Sequence, residues 1–112
     1  MIKYSLIVVT DNSEKYIQPL LGSLMWQMRE DTELIIVDNL SNDETVPYIV
    51  GTIGYDFLEE DVYKFYIASK KKTPKQLVEI GRKVAKGKPI VVNVKGIVRK
   101  DYLYKRIYRG DE

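Results

Sequence analysis

Glu33-Leu34-Ile35-Ile36-Val37-Asp38-Asn39-Leu40-Ser41-Asn42-Asp43-Glu44-Thr45 is an apolar run that stops abruptly in small polar and acidic residues. The pattern is that of a buried strand over residues 34–37 delivering a polar loop at its carboxyl end. In open α/β sheets ligands settle in the crevice beyond those ends, so chemistry is expected in this loop. A run of the same kind, Ser5-Leu6-Ile7-Val8-Val9-Thr10-Asp11-Asn12, precedes it. Two such ends can line one site, and a third, at Val94-Lys95-Gly96, bears on what that site can do.

Working outward, residues 3–9 read as a first strand, rich in β-branched side chains and covered on both faces. Asp11-Asn12-Ser13 is a helix-entry cluster, and Tyr16, Ile17, Leu20, Leu21, Leu24 and Met28 follow at helical spacing. Pro19 falls in the early turns, where it is tolerated, and Gly22 weakens the helix only mildly. Asn42 or Asp43 can cap a second helix that has Pro47 near its first turn and runs to about Ile53. Gly51 and Gly54 then punctuate residues 55–61, whose Glu59-Glu60-Asp61 run reads as a solvated turn. Residues 62–68 read as a third strand. Thr73 as cap, Pro74 at the first helical position, Leu77, Ile80 and Val84 on one face and Gly87 as stop mark a third helix. A fourth strand is expected over residues 89–94, and Asp101 can cap a short helix carrying Leu103 and Ile107.

This β-α-β-α-β-α-β-α order predicts a three-layer α/β/α domain with a mainly parallel sheet and right-handed crossovers. It spans residues 1–112 as one domain, with a basic, tyrosine-rich segment at 99–112. Thr10-Asp11-Asn12-Ser13-Glu14 is neither G-x-G-x-x-G nor a Walker loop, which argues against a dinucleotide enzyme or a P-loop NTPase. The chain has no cysteine and no histidine. Thiolate chemistry is therefore absent, as are the usual zinc ligands and the commonest general base. The formal net charge of +2 does not by itself imply a polyanionic partner. No segment has the apolar length of a membrane span or of a signal peptide, so the expected compartment is the cytoplasm.

The order Ser5-Leu6-Ile7-Val8-Val9-Thr10-Asp11-Asn12, then Leu20-Leu21-Gly22-Ser23-Leu24 with Gln27, then Leu34-Ile35-Ile36-Val37-Asp38-Asn39 with Ser41, Asp43 and Thr45, resembles the nucleotide-binding half of family 2 glycosyltransferases of the GT-A fold. The likeness continues through Gly81 and Ala85-Lys86-Gly87. It implies a minimal GT-A-like (nucleotide-diphospho-sugar transferase) domain, in which Val9, Thr10, Asp38 and Asn39 occupy the positions that hold a nucleotide-sugar. Asn39 replaces an acid but still offers a donor and an acceptor. At the fourth strand the family carries an Asp-x-Asp element for a divalent metal, and here Val94-Lys95-Gly96 stands in its place. Neither Val nor Lys offers a side-chain oxygen to a hard cation, so no cofactor is expected and Lys95 becomes the candidate phosphate contact. Glu79 stands where the family often has Asn, and the acceptor-binding half with its carboxylate base has no counterpart in these residues. No catalytic residue is assigned.

Several features keep two readings. Asp38 and Asn39 either bind a base or close the turn and cap the next helix. Asp11, Asn12 and Asp43 serve as caps before they serve as ligand contacts. Lys70-Lys71-Lys72 is either a phosphate receptor or a solvated loop. The segment from Arg99 to Arg109 suits either single-stranded nucleic acid or a snorkelling helix that covers the sheet or a partner. Nine tyrosines against two phenylalanines and one tryptophan suit interfaces, hence a homodimer. The expected function is a glycosyltransferase-like, nucleotide-sugar-binding domain lacking independent metal-dependent transfer, whose partner is a second copy or a separate acceptor-binding protein. The alternatives are a non-enzymatic homodimeric interaction module on a degenerate glycosyltransferase fold and, third, a small nucleic-acid-binding protein.

Overall fold

The computed structural model describes residues 1–54, 62–94 and 99–111. The Glu59-Glu60-Asp61 turn, Lys95 and Gly96 lie outside the described residues. The elements follow the expected alternation: β1 Tyr4–Thr10, α1 Glu14–Gln27, β2 Thr32–Asp38, α2 Thr45–Ile53, β3 Tyr63–Ile67, α3 Pro74–Val84, β4 Lys88–Val92 and α4 Tyr102–Arg106, closed by a 3-10 turn at Tyr108–Asp111. The four strands are all parallel, in the order β3-β2-β1-β4.

Because side chains alternate across a strand, each face of the sheet buries its own cluster. Leu6, Val8, Leu34 and Ile36 pack under Ile17, Leu21 and Leu24 of α1, Ile49 of α2, and Leu103, Ile107 and Tyr108 at the carboxyl end. On the other face Ile7, Ile35 and Val37 meet Leu77 of α3. Burying each such aliphatic side chain stabilises the fold by about 1.5–3 kcal/mol. Helix α3 lies close on β1, since a Cβ on Gly81 would come within 2.8 Å of Ile7 Cγ2. The chain is thus a three-layer α/β/α domain, as its sequence pattern predicts.

Several boundaries differ from expectation for local reasons. Strand β2 begins at Thr32 rather than Leu34, with Glu33 wholly buried inside it. The carboxylate is tolerated because Oε2 accepts from Ser5 Oγ at 2.6 Å and from the Lys86 amide at 2.7 Å. Lys64 Nζ stands 2.9 Å from Oε1 as its ion-pair partner. Strand β4 ends at Val92 instead of 94. Helix α3 carries the full capping box, with Gln76 N donating to Thr73 Oγ1 and Thr73 N to Gln76 Oε1. Ser13 and Asp101 hold the N-cap positions of α1 and α4 without a capping bond from their own side chains.

The carboxyl-terminal segment covers the sheet end opposite the loops described below. Gln27 Nε2 donates to Arg99 O at 2.6 Å and its Oε1 accepts from Leu103 N, which anchors the entry to α4. Tyr108, buried, shares a 2.6 Å hydrogen bond with Thr32 Oγ1 and accepts from Arg29 N.

Candidate functional site

Strands β1, β2 and β3 step outward in one direction, and α3 then returns the chain to β4 on the other side of β1. Right-handed crossovers put α1 and α2 on one face and α3 on the other, and this reversal opens a crevice at the carboxyl ends of β1 and its neighbours. Register pairs Thr10 with Asp38 and Asp38 with Ile67, so the strand ends are flush. The four candidate residues Val9, Thr10, Asp38 and Asn39 therefore form one patch. Thr10, Asp38 and Asn39 are buried, and Val9 is half-buried against the α3 face.

Asp38 closes the turn that follows it. Its Oδ1 accepts from Thr10 Oγ1 and from Ser41 Oγ, each at 2.6 Å, and its Oδ2 accepts from Ser41 N at 2.8 Å. These bonds hold Leu40 at a φ of 53°, a left-handed conformation that costs a branched, Cβ-bearing residue about 1 kcal/mol or more. Leu40 is also exposed at the rim, and strain of this kind gathers at binding loops.

Asn39 does something the sequence did not reveal. Its side-chain amide pairs with the backbone of Lys72 as one strand pairs with another: Oδ1 accepts from Lys72 N at 2.8 Å and Nδ2 donates to Lys72 O at 3.0 Å. Nδ2 also donates to Asp11 Oδ2 at 2.9 Å, and Lys71 Nζ reaches Asp11 Oδ1 at 3.1 Å. The backbone of the lysine loop is thereby clamped over the β1 and β2 ends, while Lys70 and Lys71 stay exposed to solvent. Burial is the largest influence on Asp11 and acts upward, yet the Asn39 and Lys71 bonds outweigh it and hold the carboxyl below its ordinary range.

The β1–α1 loop is braced by its neighbour. Asn12 N donates to Ser41 Oγ, Ser13 N to Thr45 Oγ1, and Glu14 N to Asp43 Oδ2 at 3.3 Å, while Asn42 N donates back to Asn12 Oδ1. The start of α1 is thus capped from the β2–α2 loop, which explains why Ser13 needs no capping bond of its own. Asp43 also accepts from Thr45 N, so one carboxylate serves two helix entries. Burial works upward on Asp43, but these bonds leave its carboxyl below the usual range.

Two hollows flank the clamp. One of about 290 Å³ lies along residues 11–16 and Asp43. The other, of about 340 Å³, is lined by Lys72, Lys75, Lys83, Gln76, Glu79 and Ile80. The α1 side of the crevice is therefore acidic, while the second hollow follows one stripe of α3, with Lys72 and Lys75 at the helix entry nearest the crevice and Lys83 in its last turn; an anion is drawn to the entry lysines. A hard cation is poorly served. Strand β4 leads into Asn93 and Val94, with no carboxylate, and Asp11, Asp38 and Asp43 are committed to the bonds above. No three acidic side chains converge among the described residues. These residues do not fit a divalent metal site.

The sequence model described as Glycosyl transferase family 2 matches residues 5–92. The chain belongs to glycosyl transferase family 2. Within the family, poly(ribitol-phosphate) beta-N-acetylglucosaminyltransferase TarS of Staphylococcus aureus is 45% identical over 51 residues, which is 44% of this chain and 9% of that protein. The crystal structure of S. aureus TarS 1-349 superposes with a TM-score of 0.77 at 28% identity, covering 98% of this chain and 32% of that one. The same fragment in complex with UDP-GlcNAc matches equally, at a TM-score of 0.77. Mannosyltransferase PcManGT from Pyrobaculum calidifontis, at 17% identity and a TM-score of 0.74 over 88% of this chain and 29% of that one, shares the fold. The family 2 domain thus has a GT-A fold and spans about a third of the solved TarS fragment. Among its described residues no helix is long and apolar enough to cross a membrane.

Proposed function

We propose that this family 2 domain binds a nucleotide-sugar, with Val9, Thr10, Asp38 and Asn39 forming the floor for the nucleoside. The observation that carries this reading is the gathering of these four residues into one patch at the switch-point crevice, covered by the Lys72 backbone that Asn39 clamps and by the half-exposed Asp11–Lys71 pair. A ligand can exchange such a pair at little cost, because exposed ion pairs contribute about 0–1 kcal/mol. The likeness to a TarS fragment solved with UDP-GlcNAc supports a uridine-diphosphate sugar as the ligand class.

The diphosphate is the harder part to accommodate. With no carboxylate set for a metal, its charge falls to lysines: Lys71, Lys72 and Lys75 on the α3 side and, by sequence position, Lys95. Asp11, Asp38 and Asp43 are engaged in the bonds above, which leaves Glu14, on the hollow along residues 11–16, as the crevice carboxylate not so engaged among the described residues. On this reading the domain is a donor-binding half, and the acceptor-binding groups lie outside these residues. The likeness to a poly(ribitol-phosphate) beta-N-acetylglucosaminyltransferase supports, as the acceptor class, a hydroxyl on an anionic polyol-phosphate polymer.

Calorimetric titration of UDP-GlcNAc in EDTA tests the reading. A dissociation constant of about 1 mM or tighter is expected, corresponding to at least about 4 kcal/mol of binding free energy. Lys72→Ala should weaken it severalfold. An absence of heat at several millimolar ligand contradicts the reading, and tenfold tightening by Mn2+ contradicts its lysine-for-metal part.

A second reading, a self-associating module, is favoured by Tyr66 and Ile67, exposed near the end of β3, the outermost strand on one side of the described sheet. Light scattering over a concentration series should then show a dimer, and a monomer at every concentration removes it.

A further inference from the structure

A second surface stands apart from the crevice. Helix α1 starts at the carboxyl ends of the strands and finishes just before β2 begins, so its last turn lies at the opposite end of the sheet. There Trp26 is 77% exposed, an unusual position for the one tryptophan of the chain. Beside it is a hollow of about 490 Å³ lined by Trp26, Gly22, Ser23 and Lys100. Its floor is open, since a Cβ on Gly22 would meet nothing within 4 Å. The next residues along the chain line an adjoining hollow of about 300 Å³, formed by Arg99, Asp101, Tyr102, Lys105 and Arg106.

The two hollows together present four cations against one carboxylate. Asp101 is engaged by Lys105 at 3.1 Å. The Arg106 guanidinium sits 5.6 Å from the Tyr102 ring centroid, Arg99 shares the field of Asp101 with Lys105, and Lys100 has no acidic partner among the described residues. The surface is also rigidly seated, because Gln27 holds both the Arg99 carbonyl and the Leu103 amide. An excess of cations over carboxylates beside an exposed indole and a phenol ring suits a chain that alternates anionic groups with flat apolar faces.

We propose that this face docks a polyol-phosphate polymer, with its phosphates on Arg99, Lys100 and Arg106 and the C–H face of a polyol or sugar unit against Trp26. The inference rests on the donor-binding reading above, because a sugar-transferring domain is what gives such a polymer a reason to be held here. The chain is no more than 41 Å long, so a polymer fixed at this end still reaches the crevice and raises the local concentration of its own hydroxyls. A monosaccharide held at this face does not reach.

Fluorescence of the single tryptophan reads this face directly. The 112-residue chain is titrated with a synthetic hexamer of phosphodiester-linked ribitol, with an oligothymidylate of equal charge and with neutral cellohexaose, and UDP-GlcNAc binding is measured in parallel. The hexamer should change the emission and bind at least about tenfold more weakly at 200 mM than at 50 mM salt, as counterion release requires. Trp26→Ala, followed through amide shifts, and Lys100→Glu should each weaken hexamer binding about tenfold or more while leaving UDP-GlcNAc affinity unchanged. Both side chains are exposed, so neither substitution threatens the fold. No emission change, hexamer binding that Lys100→Glu leaves intact, or oligothymidylate binding as tight as the hexamer overturns the proposal. Hexamer binding without UDP-GlcNAc binding upholds the docking face and removes the donor reading, so the two failures are distinct.

Discussion

Replacing Asn39 probes the clamp on which the crevice depends. The orientation of its amide is not arbitrary: Lys72 offers one N–H and one C=O, so Oδ1 must face the former and Nδ2 the latter. Asn39→Ala removes those two bonds, worth about 1 kcal/mol each, and a third to a charged carboxylate, worth about 1.5–3 kcal/mol when buried. The Asp11 side chain is 47% exposed, so water recovers most of that third bond. The expected loss is about 2–3 kcal/mol, which lowers a urea midpoint by about 1–2 M. Asn39→Asp keeps the shape but turns the donor into an anion facing both Asp11 and the Lys72 carbonyl. At pH 7 it should therefore be less stable than Asn39→Ala by about a further 1 kcal/mol. Part of that deficit should return at acid pH, where a protonated carboxyl donates again. Urea melts monitored by circular dichroism, with amide exchange at Lys72, measure both effects. If Asn39→Ala falls within 0.5 kcal/mol of the parent, or Asn39→Asp matches it, the clamp is not holding the loop and the reasoning fails; about 0.5 kcal/mol is what an ordinary surface change produces.

Gly87→Ala should be costly, because the new Cβ would lie 2.5 Å from the Lys3 carbonyl carbon and 2.7 Å from its oxygen. Backbone cannot yield as a side-chain tip does, so a loss of about 1–3 kcal/mol in urea melts is expected, and a neutral result contradicts the close approach. Leu40→Gly should stabilise by about 1 kcal/mol or less by relieving the left-handed strain, and a clear destabilisation would show that Leu40 makes a contact that matters. Acid should unfold the chain partly through Glu33. Burial is the largest influence on this carboxyl and acts upward, yet Ser5, Lys64 and the Lys86 amide hold it below its ordinary 4.5. Its stabilisation is therefore complete above that value and is lost as pH falls through the lower, folded value. Glu33→Gln should cost about 2–4 kcal/mol at neutral pH and flatten the stability profile below pH ~4.5; an unchanged profile removes Glu33 from the account.

Much of this architecture can be read from the chain because the periodicities are local. The Thr73-Pro74 entry to α3, the alternation of strands and helices, and the packing of Leu103 and Ile107 all follow from spacing alone. Glu33 did not: a charge at the edge of an apolar run marks a strand end in sequence, and only Ser5, Lys64 and Lys86, brought in from three other segments, make it a strand interior. The entry to α1 falls at Ser13, within the cluster the sequence marks, but the side chains that bond the Ser13 and Glu14 amides, Thr45 and Asp43, stand about thirty residues away and cannot be read locally. At the candidate site, sequence located the patch on β1 and β2 but not the Lys72 backbone that pairs with Asn39. The available signal was the acid after β1 facing a lysine run after β3, which becomes meaningful only once strand order puts those loops together.

The central claim is that the β1 and β2 ends still hold a nucleotide-sugar without a metal. Amide chemical shifts recorded while UDP-GlcNAc is titrated in EDTA, and again with Mn2+, test it most directly. The account predicts saturable shifts at Val9, Thr10, Asp38, Asn39 and Lys72, the same in both buffers. No shift at those residues at millimolar ligand, or shifts that appear only with Mn2+, would contradict it.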